Sequence, residues 1–152
     1  MTREIHTGGC QCGRIRYRIE GALPPAYACH CGECKKQSAS AFSLSIGIPF
    51  SRIDVDGEPA MFEVTGYSGA AKHCSFCPSC GSRLWHRSGH APENATLKVG
   101  TLDDGAGIAP TFHLWVSKKQ AGFTLDPSVP AYETQPDDLL EMRERLSGKG
   151  QA

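Results

Sequence analysis

The sequence carries no net charge and no long apolar run, and each absence narrows what the chain can do. Lys plus Arg equals Asp plus Glu at 16 each, so no long-range field draws it toward phosphate backbones or an anionic bilayer. That argues against a nucleic-acid role. No window approaches the roughly 18 consecutive apolar residues that a membrane-spanning helix needs. Met1 to Gly8, with Arg3, Glu4 and His6, also lacks the apolar stretch of a secretory signal. The expectation is a cytoplasmic protein with no membrane partner. There is no internal repeat or low-complexity segment, and 152 residues build one modest core more readily than two. The chain reads as a single domain over 1–152.

Against these absences stand eight cysteines. Cytosolic thiols are kept reduced, and close pairs such as Cys10-Gln11-Cys12 chelate a metal more readily than they close unstrained disulfides. Metal is the expected explanation.

Between the cysteines, apolar residues alternate with polar ones, the period of half-buried strands. Ile15, Tyr17 and Ile19 alternate with Arg14, Arg16 and Arg18, and Phe42, Leu44, Ile46 and Ile48 alternate up to Pro49. Further strands are expected over 61–67, 83–87, 95–102 and 111–117, with a short helical turn at Lys35 to Ser40. One full helix is expected over about 137–146, capped by Asp137 and striped by Leu139, Leu140 and Leu146, before a frayed end at 147–152. The fold class is mainly β.

The cysteines fall into three clusters. Cys77-Pro78-Ser79-Cys80-Gly81 has the spacing at which a tight turn aims two sulfurs at one ion, and the glycine after the second cysteine can take the positive φ such a turn needs. Cys10, Cys12 and Gly13 repeat the pairing, so a site built from Cys10, Cys12, Cys77 and Cys80 would be a closed structural zinc, although the spacing of Cys74 to Cys77 would also let Cys74 replace Cys77 or Cys80 there. Ordering a chain around such an ion contributes about 10–16 kcal/mol in small zinc peptides. Cys29, Cys31 and Cys34 are different, because three ligands leave a tetrahedral position open, the mark of a catalytic zinc. Alternatively His30, Glu33 or Cys74 closes that sphere and both ions are structural. The open reading is preferred, with Cys74 as a buried thiol.

These motifs resemble a known family. Gly8-Gly9-Cys10-x-Cys12-Gly13, Cys29-His30-Cys31-x-x-Cys34 and Phe76-Cys77-x-x-Cys80-Gly81, followed by Val99-Gly100-Thr101-Leu102-Asp103 and Pro110-Thr111-x-His113-x-Trp115-Val116, are similar to the glutathione-dependent formaldehyde-activating enzymes, a family that includes centromere protein V. The resemblance runs from about Gly8 to about Tyr132 and implies a mostly β fold of two antiparallel sheets around a structural zinc, related to the Mss4-like folds. It implies two zinc ions per chain, a structural one on Cys10, Cys12, Cys77 and Cys80 and a catalytic one on Cys29, Cys31 and Cys34. The activity implied is that of a carbon–sulfur lyase condensing glutathione with formaldehyde to S-(hydroxymethyl)glutathione.

A zinc on three thiolates binds a substrate thiol strongly and strips its proton. The two carboxylates of glutathione then call for cationic partners, and Lys35, Lys36, Arg83 and Arg87 stand near the clusters in sequence. His113 and Trp115 are candidate pocket residues. Two other readings are a zinc-stabilised binding module without chemistry and an enzyme of the same fold acting on another thiol or aldehyde. A nucleic-acid-binding zinc ribbon is disfavoured by the zero net charge.

Overall fold

A computed structural model describes residues 3–137. In chain order its elements are β1 (Ile5–Gly9), β2 (Arg16–Glu20), β3 (Ala26–Cys29), α1 (Gly32–Ser38), β4 (Ser43–Pro49), β5 (Ile53–Asp56), β6 (Ala60–Thr65), β7 (Ala71–Phe76), β8 (Arg83–Ser88), β9 (Ala91–Lys98) and β10 (Pro110–Leu114), with three short 3-10 turns between. The strands fall into two sheets and the fold is mainly β. The helix expected at 137–146 lies, past its first residue, outside the described residues. Among the described residues no helix is long and apolar enough to cross a membrane.

The chain divides into two compact units, Met1–Leu23 with Gly47–Gly107 and Pro24–Ile46 with Ile108–Ala152. In the first, β2 lies antiparallel between β1 and β5, and β6, β7, β8 and β9 form an antiparallel meander. The alternation read from the sequence decides which face of β2 is dry: Tyr17 and Ile19 are buried and Arg18 is exposed. Trp85 on β8 faces Leu97 on β9 in register, and both are buried. Tyr17 meets the Trp85 ring edge-on at 6.4 Å between centroids, and Phe50 lies 5.7 Å away on the same ring. Fully burying side chains of this size contributes about 1.5–3 kcal/mol each.

In the second unit β3 is paired on both sides, antiparallel to β4 and parallel to β10. The parallel pair departs from the expectation of purely antiparallel sheets. A long stretch of chain separates β3 from β10, so no hairpin constrains their direction. All four residues of β3 are buried, which removes the alternation by which a strand is recognised. Tyr27 of β3 stacks on Phe112 of β10, their planes 4° apart and centroids 5.1 Å apart. Helix α1 starts where the Cys31 sulfur accepts the Cys34 N–H, a thiol in the place of the usual capping oxygen, and stops at Ala39 in the left-handed region.

Candidate metal centres

In the first unit the sulfurs of Cys10, Cys12, Cys77 and Cys80 all lie within 4.8 Å of one another. Two tight turns bring them there, and the turns are built alike. In one, the Cys10 N–H donates to the Ile15 carbonyl at 3.0 Å and the Gly13 N–H to Cys10; in the other, the Cys77 N–H donates to Ser82 at 2.9 Å and the Gly81 N–H to Cys77. Gly13 and Gly81 stand at φ +81° and +79°, a conformation that costs other residues a steric clash. Ser82 joins the two turns, its hydroxyl accepting from the Gln11 N–H at 3.0 Å and lying 3.2 Å from the Cys80 sulfur.

The fit to a metal can be tested on distance. Four sulfurs about 2.3 Å from one ion form a tetrahedron with edges of about 3.8 Å. The Cys10–Cys12 and Cys12–Cys77 separations are 3.6 and 3.7 Å, and none of the eight cysteines is disulfide-bonded. The electrostatics point the same way. Hydrogen bonds from the Ser82 hydroxyl, the Ser82 N–H and the Cys12 N–H hold Cys80 down to about 5. Cys12 is favoured as thiolate by the Arg14 N–H, yet loss of water and the sulfurs of Cys10, Cys80 and Cys77 push it up to about 11. Four thiolates this close do not ionise together without a cation among them.

In the second unit the sulfurs of Cys29, Cys31 and Cys34 also lie within 4.8 Å of one another, and all three residues are buried. Cys29 ends β3, Cys31 caps α1 and Cys34 sits in its first turn. The neighbouring sulfurs of Cys31 and Cys34, and then burial, push the Cys29 thiol far above its ordinary value. Around them pack Tyr27, Phe112 and Leu114, with Trp115 and Tyr132 against the cluster. Neither His30 nor Glu33 joins this donor group. His30 turns its Nε2 to His113 Nδ1 at 3.0 Å. Cys74, buried in β7 of the first unit, belongs to neither group.

The other residues singled out in the sequence are distributed between the units. Lys35 donates to the Lys118 carbonyl at 2.9 Å and Lys36 is exposed on α1. Arg83 and Arg87 lie on β8 in the first unit, their guanidinium groups 4.8 and 4.3 Å from the ring centroids of Phe76 and Phe50. Trp115 packs on the three-cysteine cluster from a left-handed backbone at φ 58°. Sequence reasoning missed Ser82, although it follows Gly81 directly. It also missed the pairing of His30 with His113, although both stand inside quoted motifs.

The fold is similar to that in a crystal structure of a Rhodobacter sphaeroides protein, a structural-genomics target. The two share 22% sequence identity and a TM-score of 0.51 over 68% of this chain and 91% of that one. The family model described as "Glutathione-dependent formaldehyde-activating enzyme" matches residues 5–118, a span that holds both sulfur groups and well over half of the 152 residues. The chain therefore belongs to the glutathione-dependent formaldehyde-activating enzyme family.

Proposed function

We propose that this protein is a zinc-dependent carbon–sulfur lyase that joins the thiol of glutathione to formaldehyde, giving S-(hydroxymethyl)glutathione. The observation that carries this reading is the three-cysteine group. Cys29, Cys31 and Cys34 converge in a buried, aromatic-walled place and supply one donor fewer than a tetrahedral zinc requires. An all-sulfur donor set selects zinc over magnesium, calcium or manganese. In this reading Cys10, Cys12, Cys77 and Cys80 hold a structural zinc, and Cys29, Cys31 and Cys34 hold the catalytic one.

Zinc, when bound there, supplies the Lewis acidity that lets a substrate thiol lose its proton near neutral pH. The chain's residues do the rest. Tyr27, Phe112 and Leu114 back the three cysteines with apolar surface that keeps water from competing. Lys35 and Lys36 follow Cys34 on α1 and offer ammonium groups to the carboxylates of glutathione. In the reaction a bond forms between the thiol sulfur and the aldehyde carbon, the carbonyl double bond becomes single, and the proton shed by the thiol ends on the carbonyl oxygen. Atoms and electrons balance with no oxidant or reductant. The cytoplasm suits this chemistry, because its reducing thiol pool keeps both cysteine groups unoxidised.

The test is NMR observation of adduct formation from glutathione and formaldehyde, with wild type and Cys31→Ser compared above the uncatalysed rate. Acceleration by wild type that Cys31→Ser loses supports the proposal. Equal rates for the two proteins overturn it.

A further inference from the structure

His30 occupies the position between two of the three converging cysteines, and the end of β10 grips it twice. Its backbone N–H donates to the Leu114 carbonyl at 2.9 Å, and its ring Nε2 lies 3.0 Å from His113 Nδ1. His113 is itself fixed, its N–H donating to Pro130 and its carbonyl accepting from Tyr132 at 2.9 Å. Both rings are buried, His30 at 1% exposure and His113 at 5%, and Phe42 lies against the His30 ring at 5.3 Å.

Two imidazole nitrogens 3.0 Å apart share one proton, and the far side of His30 decides which ring donates it. His30 Nδ1 is buried with no hydrogen-bond partner among the described residues. If His113 Nδ1 carried the proton, His30 would have to carry its own on Nδ1, leaving a buried N–H without an acceptor at a cost of about 1–3 kcal/mol. A bare ring lone pair in the same place is the lesser penalty, since orphaned buried donors are rarer in proteins than under-used acceptors.

We propose that His113 is a positioning residue for the three-cysteine site, accepting at Nδ1 the proton on His30 Nε2 and so holding the Cys29–His30–Cys31 turn in the geometry where the sulfurs converge. The inference rests on the reading that Cys29, Cys31 and Cys34 take a metal ion. It gives a role to the histidine of the Pro110-Thr111-x-His113-x-Trp115 motif that does not require contact with substrate. Groups that orient a metal's ligands from behind commonly change affinity by about 10–100-fold when removed.

Cobalt-loaded protein tests it, with release of each ion to a chelator followed through the sulfur-to-cobalt absorption bands. His113→Leu removes the acceptor, whereas His113→Asn places an amide oxygen where Nδ1 stood. The expected result is that His113→Leu speeds cobalt loss from the three-cysteine site by about tenfold or more, leaves the four-cysteine site unchanged, and is rescued by His113→Asn. Unchanged release in His113→Leu, or an equal defect in both variants, would overturn the proposal. Should His113→Leu not fold, long-range proton–nitrogen NMR of zinc-loaded wild type decides: protons on Nε2 of both rings support the proposal, and a proton on Nδ1 of either refutes it. Wild type that takes up a single cobalt would instead remove the metal site on which the inference depends.

Discussion

Gly8 on β1 lies flat against the phenol of Tyr17, its partner on β2, with no space between them for a side chain. The Thr101 carbonyl closes the other approach, and the Tyr17 hydroxyl bonds the Thr101 hydroxyl at 2.7 Å. The glycine that leads into the first cysteine turn is thereby tied to the Val99–Thr101 turn. Gly81 is needed for a different reason: open space surrounds it, but its φ is +79°. Gly8→Ala should therefore destabilise the zinc-loaded protein by about 2 kcal/mol or more through overpacking, and Gly81→Ala by about 1 kcal/mol through backbone strain alone. Denaturant unfolding of both variants checks the order, and the reverse order contradicts this account.

Asp103 carries a pH prediction. The Arg16 guanidinium, first, and the Thr7 hydroxyl, second, hold its carboxyl below the ordinary aspartate value of 3.8. A carboxyl whose folded value is depressed stabilises the fold above its unfolded value, and that contribution disappears as pH falls through the folded one. The difference in melting temperature between wild type and Asp103→Asn should be constant from about pH 8 to 5 and shrink only below about pH 4. Narrowing between pH 8 and 5 would assign the effect to another group.

The proposed division of labour between the two sulfur groups predicts opposite outcomes for two serine substitutions. On that proposal Cys77→Ser opens the closed site, and structural zinc in small peptides contributes about 10–16 kcal/mol, more than the net stability of most domains. It should yield no soluble folded protein. Cys31→Ser should fold, with a melting temperature near that of wild type and one zinc fewer. Matching melting temperatures for both variants would refute the division.

Both sulfur groups were legible because C-x-C, C-x-x-C and a following glycine are local patterns, and local patterns report local geometry. β2 was legible because one face of it is dry, so Tyr17 and Ile19 alternate with wetter neighbours; β4 was legible from its apolar alternation, although Ser43 and Ser45 are buried along with Ile46 and Ile48. β3 was not, since all four of its residues are buried. β7 was missed because Lys72, His73, Cys74 and Ser75 show no apolar alternation, although the strand is paired on both sides. Helix α1 begins three residues ahead of the expected turn because a cysteine sulfur caps it, where sequence rules look for an oxygen. The His30–His113 pair joins residues 83 positions apart, through a parallel pairing of strands that nothing local announces.

The proposed function requires one sulfur group closed around its metal and the other one ligand short. X-ray absorption at the zinc edge of protein loaded with two zinc ions and freed of small thiols measures this directly, because it counts sulfurs per zinc. The expected result is four sulfurs at one ion and three at the other, an average between three and four that rises to four when glutathione is added. Four sulfurs per zinc before any thiol is added, or a value that glutathione does not change, would contradict it.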